Sequence, residues 1–188
     1  MVMDLQVSLK KLLKKGVLTS ELDFQRASVI DRRMRLLVKE FPELAEDRKQ
    51  LRALLEDYEE KHWVEQEITD KKIEESEAAE NFAEQERVFV EKRKDAIQSK
   101  LKEIGLTQKE LGAILGHASA TYMSELINGI NPFTLNDLVI IHKLLNIELE
   151  NLIPTVLTRQ VRNRLLGTIK KLDNPYLKQS KLKELVLT

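Results

Sequence analysis

At 188 residues and 21.8 kDa the chain can form one domain of ordinary size or two small ones. Hydrophobic residues make up 42% and charged residues 33%, with 31 basic against 31 acidic side chains, a balance expected of a soluble, charge-dense protein rather than a disordered or membrane one. Cysteine is absent, which excludes disulfides, thiolate metal sites and cysteine nucleophiles together and fits a reducing compartment.

The zero net charge hides an uneven distribution. Residues 1–55 carry 12 basic and 8 acidic groups, residues 56–91 carry 4 and 14, and residues 92–188 carry 15 and 9. A basic carboxyl-terminal half suits nucleic acid and an acidic middle suits a basic protein partner, although solvated surface accounts for both equally well. The longest purely apolar stretches, such as Leu138 to Ile141, fall far short of the roughly 20 residues that span a bilayer. Asp4, Lys10, Lys11, Lys14 and Lys15 interrupt any apolar secretory core, so a cytoplasmic protein is expected.

In chain order, Met34, Leu37, Val38 and Phe41 recur at helical spacing, and their helix must yield before Pro42. Between Pro42 and Gly105 there is neither Gly nor Pro, and Glu, Lys, Ala, Leu and Gln dominate, which predicts almost unbroken helix. Leu44, Leu51, Leu54, Leu55 and Tyr58 form one apolar stripe, followed by His62 and Trp63. From Glu65 to Glu91 the apolar positions Ile73, Phe82, Val88 and the alanines are thinly spread among carboxylates. This predicts a long linking helix, or one that packs on a second subunit, rather than one with a core of its own.

Four of the six glycines, at 105, 112, 116 and 129, divide the next segment into short helices. Ile97, Leu101 and Ile104 form the stripe of the first. Thr107 and Glu110 have the spacing of a capping box for the second, whose Leu111 and Leu115 face inward while Gly112 permits close approach of another helix. Gly116 suits a sharp turn, Ser119 caps a third helix with Met123, Leu126 and Ile127 inside, and Gly129 ends it. Thr134 caps a fourth with Leu138, Ile141, Leu144 and Leu145 inside, and Ile147 to Ile153 supplies a short fifth. Two short helices across a tight glycine turn within a five-helix cluster are what a helix-turn-helix DNA-binding module requires, although an ordinary helical bundle shares the pattern.

At these residues the run LTQKELGAILG followed by SELINGINPFTL resembles the Xre-type, lambda-repressor-like helix-turn-helix family and, within it, the HigA-like antitoxins. The similarity rests on Ser124, Glu125, Asn128, Gly129, Pro132, Phe133, Thr134 and Leu135. It extends to LRALLEDYEEKHWV at residues 51–64, similar to the segment such antitoxins carry ahead of their DNA-binding domain. The acidic stretch is longer than the family leads one to expect, and the tail after Pro154 is unmatched.

The resemblance implies a dual role: binding and neutralising a small basic ribonuclease toxin of the RelE/HigB-like type, and repressing an operon as a homodimer on operator DNA. By carry-over, Gln108 would touch phosphate, and Thr121, Tyr122, Ser124, Glu125 and Asn128 would present the third helix to the major groove, with Lys109 and Ser119 beside them. Leu51, Leu55, Tyr58, Glu59, His62 and Trp63 would meet the toxin, joining apolar anchors to carboxylates. One departure matters. Family members usually place Lys or Arg near the start of the third helix, whereas this chain reads His117-Ala118-Ser119-Ala120; whether those alanines are natural or substitutions is left open.

The expectation is therefore an all-α protein. A helical toxin-binding domain spans 1–64, an acidic linking helix 65–92, a five-helix lambda-repressor-like DNA-binding domain 93–154, and an amphipathic carboxyl-terminal helix 155–188, the last from Leu157, Val161, Leu165, Ile169 and Leu172. No cofactor or metal is expected, since His62, His117 and His142 have no second histidine at ligand spacing, and no phosphate loop or nucleophile motif makes the chain an enzyme. Two rival readings are a stand-alone repressor with a helical dimerisation domain, and a helical adaptor that no longer binds DNA.

Overall fold

The computed structural model describes residues 8–64, 67–172 and 174; Asp4, Glu65, the Arg159 side chain and residues 175–188, on which parts of the sequence reading fall, lie outside this range. All regular structure among the described residues is helical. In order these are α1 (Leu9–Lys15), α2 (Glu21–Leu37), a 3₁₀ turn (Pro42–Leu44) leading into α3 (Ala45–Glu59), and a π turn (Glu60–Val64). There follow α4 (Asp70–Glu103), α5 (Gln108–Ile114), α6 (Ala120–Ile127), α7 (Leu135–Leu145), a second 3₁₀ turn (Leu149–Asn151) and α8 (Arg159–Leu172).

Local chemistry explains most of the boundaries. Ser20, Thr69, Thr107, Ser119 and Thr134 each accept a hydrogen bond from a backbone N–H in the first turn of the helix they precede, satisfying donors that have no partner within the helix. Helix α4 runs 34 residues from Thr69, about 50 Å, because nothing in it breaks the backbone ladder.

Helix α4 runs through segments that the sequence reading set apart. The chain divides into two units, Met1–Pro154 and Thr155–Thr188, so the segments read as a toxin-binding domain, a linker and a DNA-binding domain fold together. The acidic stretch does not stand apart as a link. From Asp70 onward it belongs to α4, and it packs along α2, with Ala79 and Ala83 one helical turn apart on a buried face. Small side chains let the helices approach closely, and polar pairs flank the packing: Arg26 grips Glu86 with both guanidinium arms at 2.7 and 2.6 Å, and Ser76 donates to Glu21 at 2.9 Å. The sparse apolar residues were thus a poor guide, because alanines carry this packing.

Two apolar cores result. Leu9, Leu12, Leu18, Ala27, Ile30, Met34, Leu44, Leu51 and Tyr58 form the first, from α1, α2 and α3. Ile97 and Leu101 of α4 join α5, α6 and α7 in the second, with Leu111, Met123, Leu126, Ile127, Ile141 and Leu152 at its centre. Ile130, fully buried in the turn after α6, belongs to the first core although its neighbours in sequence belong to the second. Three expectations fail locally. Ile104 caps the end of α4 and is 48% exposed. Leu144 is 41% exposed, because the inward stripe of α7 runs through Ile141 and Leu145 and a neighbouring residue is turned roughly 100° away. In place of a fifth helix there is the single turn Leu149–Asn151, because Asn146, left-handed at φ 50°, ends α7 eight residues before Pro154.

The second unit contains α8; of the apolar stripe expected there, Leu157 precedes the helix and Leu172, at its end, is 63% exposed. Ile169 is buried, Val161 and Leu165 are half-buried, and Arg164, Lys170 and Lys171 are exposed.

Beside the second core lies Arg93, 2% exposed. Its guanidinium lies over Phe133 at 5.2 Å and Phe89 at 5.6 Å, Nη1 reaches the Leu152 carbonyl at 3.5 Å, and Nε and Nη2 find no acceptor among the described residues. Burial, with the nearby charge of Arg33, lowers its pKa to about 10. A buried cation lacking a carboxylate costs stability, whereas its methylene stem fills space. Arg93→Met is accordingly expected to unfold in urea at least as late as the parent. Arg93→Ala should lose about 2–4 kcal/mol through the cavity it leaves. A methionine variant as unstable as the alanine one would show that the charge itself holds the fold together.

Candidate nucleic-acid interface

Helices α5 and α6 are joined by the turn at Gly116. Thr107 opens α5 with a complete capping box, its backbone N–H donating to Glu110 at 2.8 Å and its side chain receiving the Glu110 N–H at 3.2 Å. Gly112 lets the two helices meet: a Cβ there would stand 3.2 Å from the His117 carbonyl and 3.4 Å from Met123 Cγ. Leu111 and Leu115 pack beneath against Met123, Leu126 and Ile127. Two short helices thus meet across a glycine turn, each opened by its own cap.

The surroundings of α6 are not those of an open reading helix. Its inward face holds Met123, Leu126 and Ile127, so the opposite face, through Thr121, Ser124, Glu125 and Asn128, should be free. Ser124 and Glu125 are instead only 5% and 6% exposed. The amino-terminal layer covers them. Ser8 donates to Asn131 Oδ1 at 2.6 Å, and Asn131 Nδ2 donates in turn to Glu125 Oε2 at 2.7 Å. The Leu9 backbone N–H donates to the Ile130 carbonyl at 3.1 Å, Lys10 Nζ sits 4.6 Å above the Tyr122 ring, and Thr121 donates its hydroxyl proton to Glu43. At the far end Asn128 is held on every side. Its amide donates back to Ser124, Lys94 donates to its side-chain oxygen at 2.9 Å, and Arg33 donates to its carbonyl at 2.9 Å.

Of the residues the resemblance assigned to DNA, Lys109 and Ser119 are exposed, and Ser119 spends its hydroxyl on the Tyr122 N–H at 3.1 Å. Gln108 is half-buried at the start of α5. Thr121, Tyr122, Ser124, Glu125 and Asn128 all face the cover or are bonded within it. Sequence reasoning missed Ser8, Lys10, Glu43, Ile130 and Asn131, whose signal was slight: an apolar residue and an amide in a turn otherwise marked by Gly129 and Pro132.

Gly129 records how tightly this end of α6 is seated. A Cβ there would meet Val90 Cγ1 at 2.6 Å and Arg33 Nη1 at 2.9 Å, and the backbone is left-handed at φ 66°. On the other side of α6, His117 Nε2 lies 3.2 Å from Asp137 Oδ1 and its ring meets Tyr122 edge-on at 5.2 Å.

The residues assigned to a toxin separate in the same way. Leu51 and Tyr58 are buried in the first core, and Leu55 and Trp63 pack against it, so these apolar side chains are spent internally. Tyr58 is stacked between Phe24 at 5.0 Å and His62 at 4.0 Å and donates to Glu21 at 3.3 Å. Glu59 remains exposed, and so do Val64, Ile68 and Ile73, at 78%, 56% and 42%, in the acidic region that follows. No group of three or more His, Cys, Asp or Glu arranged to hold a metal occurs among the described residues, and none of their helices is long and apolar enough to cross a membrane. No protein-family model, curated protein or solved structure matches this chain.

Burial under the amino-terminal layer raises the pKa of Glu125, with Asp47 and Glu43 adding to the shift against the hydrogen bond from Asn131 and the charge of Lys10. A carboxyl whose folded pKa is raised stabilises the fold below its unfolded value, near 4.3, and loses that contribution as pH rises through the folded value. Glu125→Gln keeps the acceptor for Asn131 and removes the buried charge. Its melting temperature should exceed the parent's at about pH 7 to 8, and the difference should close as the pH falls to about 4. A difference independent of pH would mean that the Glu125 carboxyl has the same pKa folded as unfolded, so that burial does not raise it.

Proposed function

We propose that this chain is a helix-turn-helix regulator of the antitoxin kind, which reads operator DNA as a homodimer and neutralises a small basic ribonuclease. The observation that carries the proposal is the α5–α6 pair, in which Thr107 and Ser119 cap two short helices and Gly112 lets them pack closely. Groove reading by such a pair depends on the start of the second helix, where Ala118, Ser119 and Ala120 are exposed. The toxin half rests on the similarity of residues 51–64 to antitoxins. The exposed apolar residues Val64, Ile68 and Ile73 beside Glu59 supply anchors and steering charge, taking the place of the buried Leu51 and Tyr58.

Alanine neutralises no phosphate. Ala118→Lys with Ala120→Lys is expected to tighten binding to the DNA upstream of the chain's own coding sequence, and to steepen the fall of log affinity with log salt by roughly 0.9 for each additional phosphate neutralised. Fluorescence anisotropy over a salt series measures both. Light scattering at micromolar concentration should return twice the 21.8 kDa chain mass.

For the partner, co-expression of the full chain with the product of a neighbouring short, basic reading frame should rescue growth. Val64→Asp with Ile68→Asp should abolish rescue without loss of helical circular dichroism. If rescue survives the double change and is lost only when the first core is destabilised, the toxin site lies elsewhere. A second reading, the adaptor that no longer binds DNA, is favoured by the covered face of α6. It prevails if neither the parent nor the lysine variant binds any duplex.

A further inference from the structure

We propose that α1 and the Pro42–Leu44 turn form an intramolecular cover on α6 that competes with duplex DNA for the same helix face. The inference rests on the DNA-binding reading above. A groove-reading helix must offer the hydroxyls, amides and carboxylates of one face to base edges, in a major groove only about 12 Å wide. On α6 those groups already have partners from the same chain. The Thr121 hydroxyl donates to Glu43, a carboxylate standing where a phosphate oxygen would accept the same bond. Glu125 is reached through the relay from Ser8 by way of Asn131, and the Tyr122 ring lies under Lys10. With Ser124 and Glu125 about 95% enclosed, DNA cannot reach them while the cover is in place.

The cover is anchored in the first core and can part from α6 without taking the second core with it. Helix α1 is seven residues long, buries Leu9 and Leu12, and ends at Gly16, whose left-handed backbone starts a short connection to α2. Its polar attachment to α6 and the turn after it includes the Leu9 N–H on the Ile130 carbonyl, the Ser8 hydroxyl on Asn131 and Lys10 over the Tyr122 ring. Helices α4, α5 and α7 keep the second core whether or not α1 is seated, because none of the central residues of that core comes from α1. The apparent affinity for DNA is then the intrinsic affinity reduced by the fraction of molecules in which the cover has opened.

Two full-length variants test this, on labelled duplexes of about four helical turns carrying either the DNA upstream of the coding sequence or a scrambled sequence. Lys10→Ala with Glu43→Ala removes two exposed side chains of the cover and leaves both cores untouched. Backbone amides of α6 should exchange faster with solvent in this variant while those of α7 do not change, and DNA affinity should rise by about tenfold. Ser8→Cys with Asn131→Cys introduces the only thiols in the chain and, once oxidised, pins the cover shut. The oxidised form should bind DNA at least about tenfold more weakly than the same protein after reduction. Equal binding by the oxidised and reduced forms overturns the proposal and leaves the DNA-binding reading standing. Unchanged exchange at α6 in the alanine variant overturns it as well, since those side chains would then hold nothing closed. Faster exchange at α6 with no duplex bound by any form means that the DNA-binding reading itself has failed, and the proposal with it.

Discussion

Helix α4 has to serve two apolar cores with one surface, and the remaining architecture follows from how it does so. Toward its amino terminus Ala79, Ala83 and Val90 lie against α2; toward its carboxyl terminus Ile97 and Leu101 complete the cluster beneath α5, α6 and α7. Because an uninterrupted helix is stiff, the position of α2 on one half determines where α2 and its neighbours lie relative to α6 on the other half. Arg33 shows the consequence in a single side chain. From α2 it reaches both the Arg87 carbonyl of α4 and the Asn128 carbonyl at the end of α6.

The meeting of the two halves is polar where α6 is covered and apolar where it is anchored. Ile130 inserts into the first core, and Gly129 beside it makes room for Val90 and Arg33. Around this plug the interactions are hydrogen bonds and charges: Ser8 with Asn131, Asn131 with Glu125, Thr121 with Glu43. Such bonds contribute little net stability, because water satisfies the same groups when they part, whereas the apolar plug is costly to withdraw. The layer over α6 therefore divides physically into a firm end near Asn128 and a weaker one near Thr121 and Tyr122.

Charge distribution acquires a structural meaning from the same arrangement. The surplus of carboxylates in residues 56–91 is partly consumed within the fold, with Glu86 on Arg26 and Glu84 on Arg87, and partly left on the surface beside Val64, Ile68 and Ile73. Burial raises the pKa of Glu86 even though Arg26 grips it, so desolvation outweighs the pairing there. Arg93 is the matching case of opposite sign, a cation accommodated by two aromatic rings and a carbonyl in place of an acid.

Sequence alone determined the all-helical class, the caps at Thr107, Ser119 and Thr134, and the α5–turn–α6 geometry, because each depends on residues within a few positions of one another. Composition misled where packing used small residues: the alanines of α4 read as too thinly spread to bury much, and Ala79 and Ala83 proved to be buried. What only the tertiary structure decided was which surfaces remain free. Tyr58 and Leu51 look like docking anchors on an amphipathic stripe, yet a stripe does not say whether its partner is another protein or the chain's own α1 and α2. Thr121 and Glu125 look like groove-reading residues, yet Thr121 is bonded to Glu43, 78 positions away, and Glu125 to Asn131, itself bonded to Ser8, 123 positions away. No helical periodicity spans such separations, so burial of a functional face is a property of the assembled cores and not of the segment that carries it.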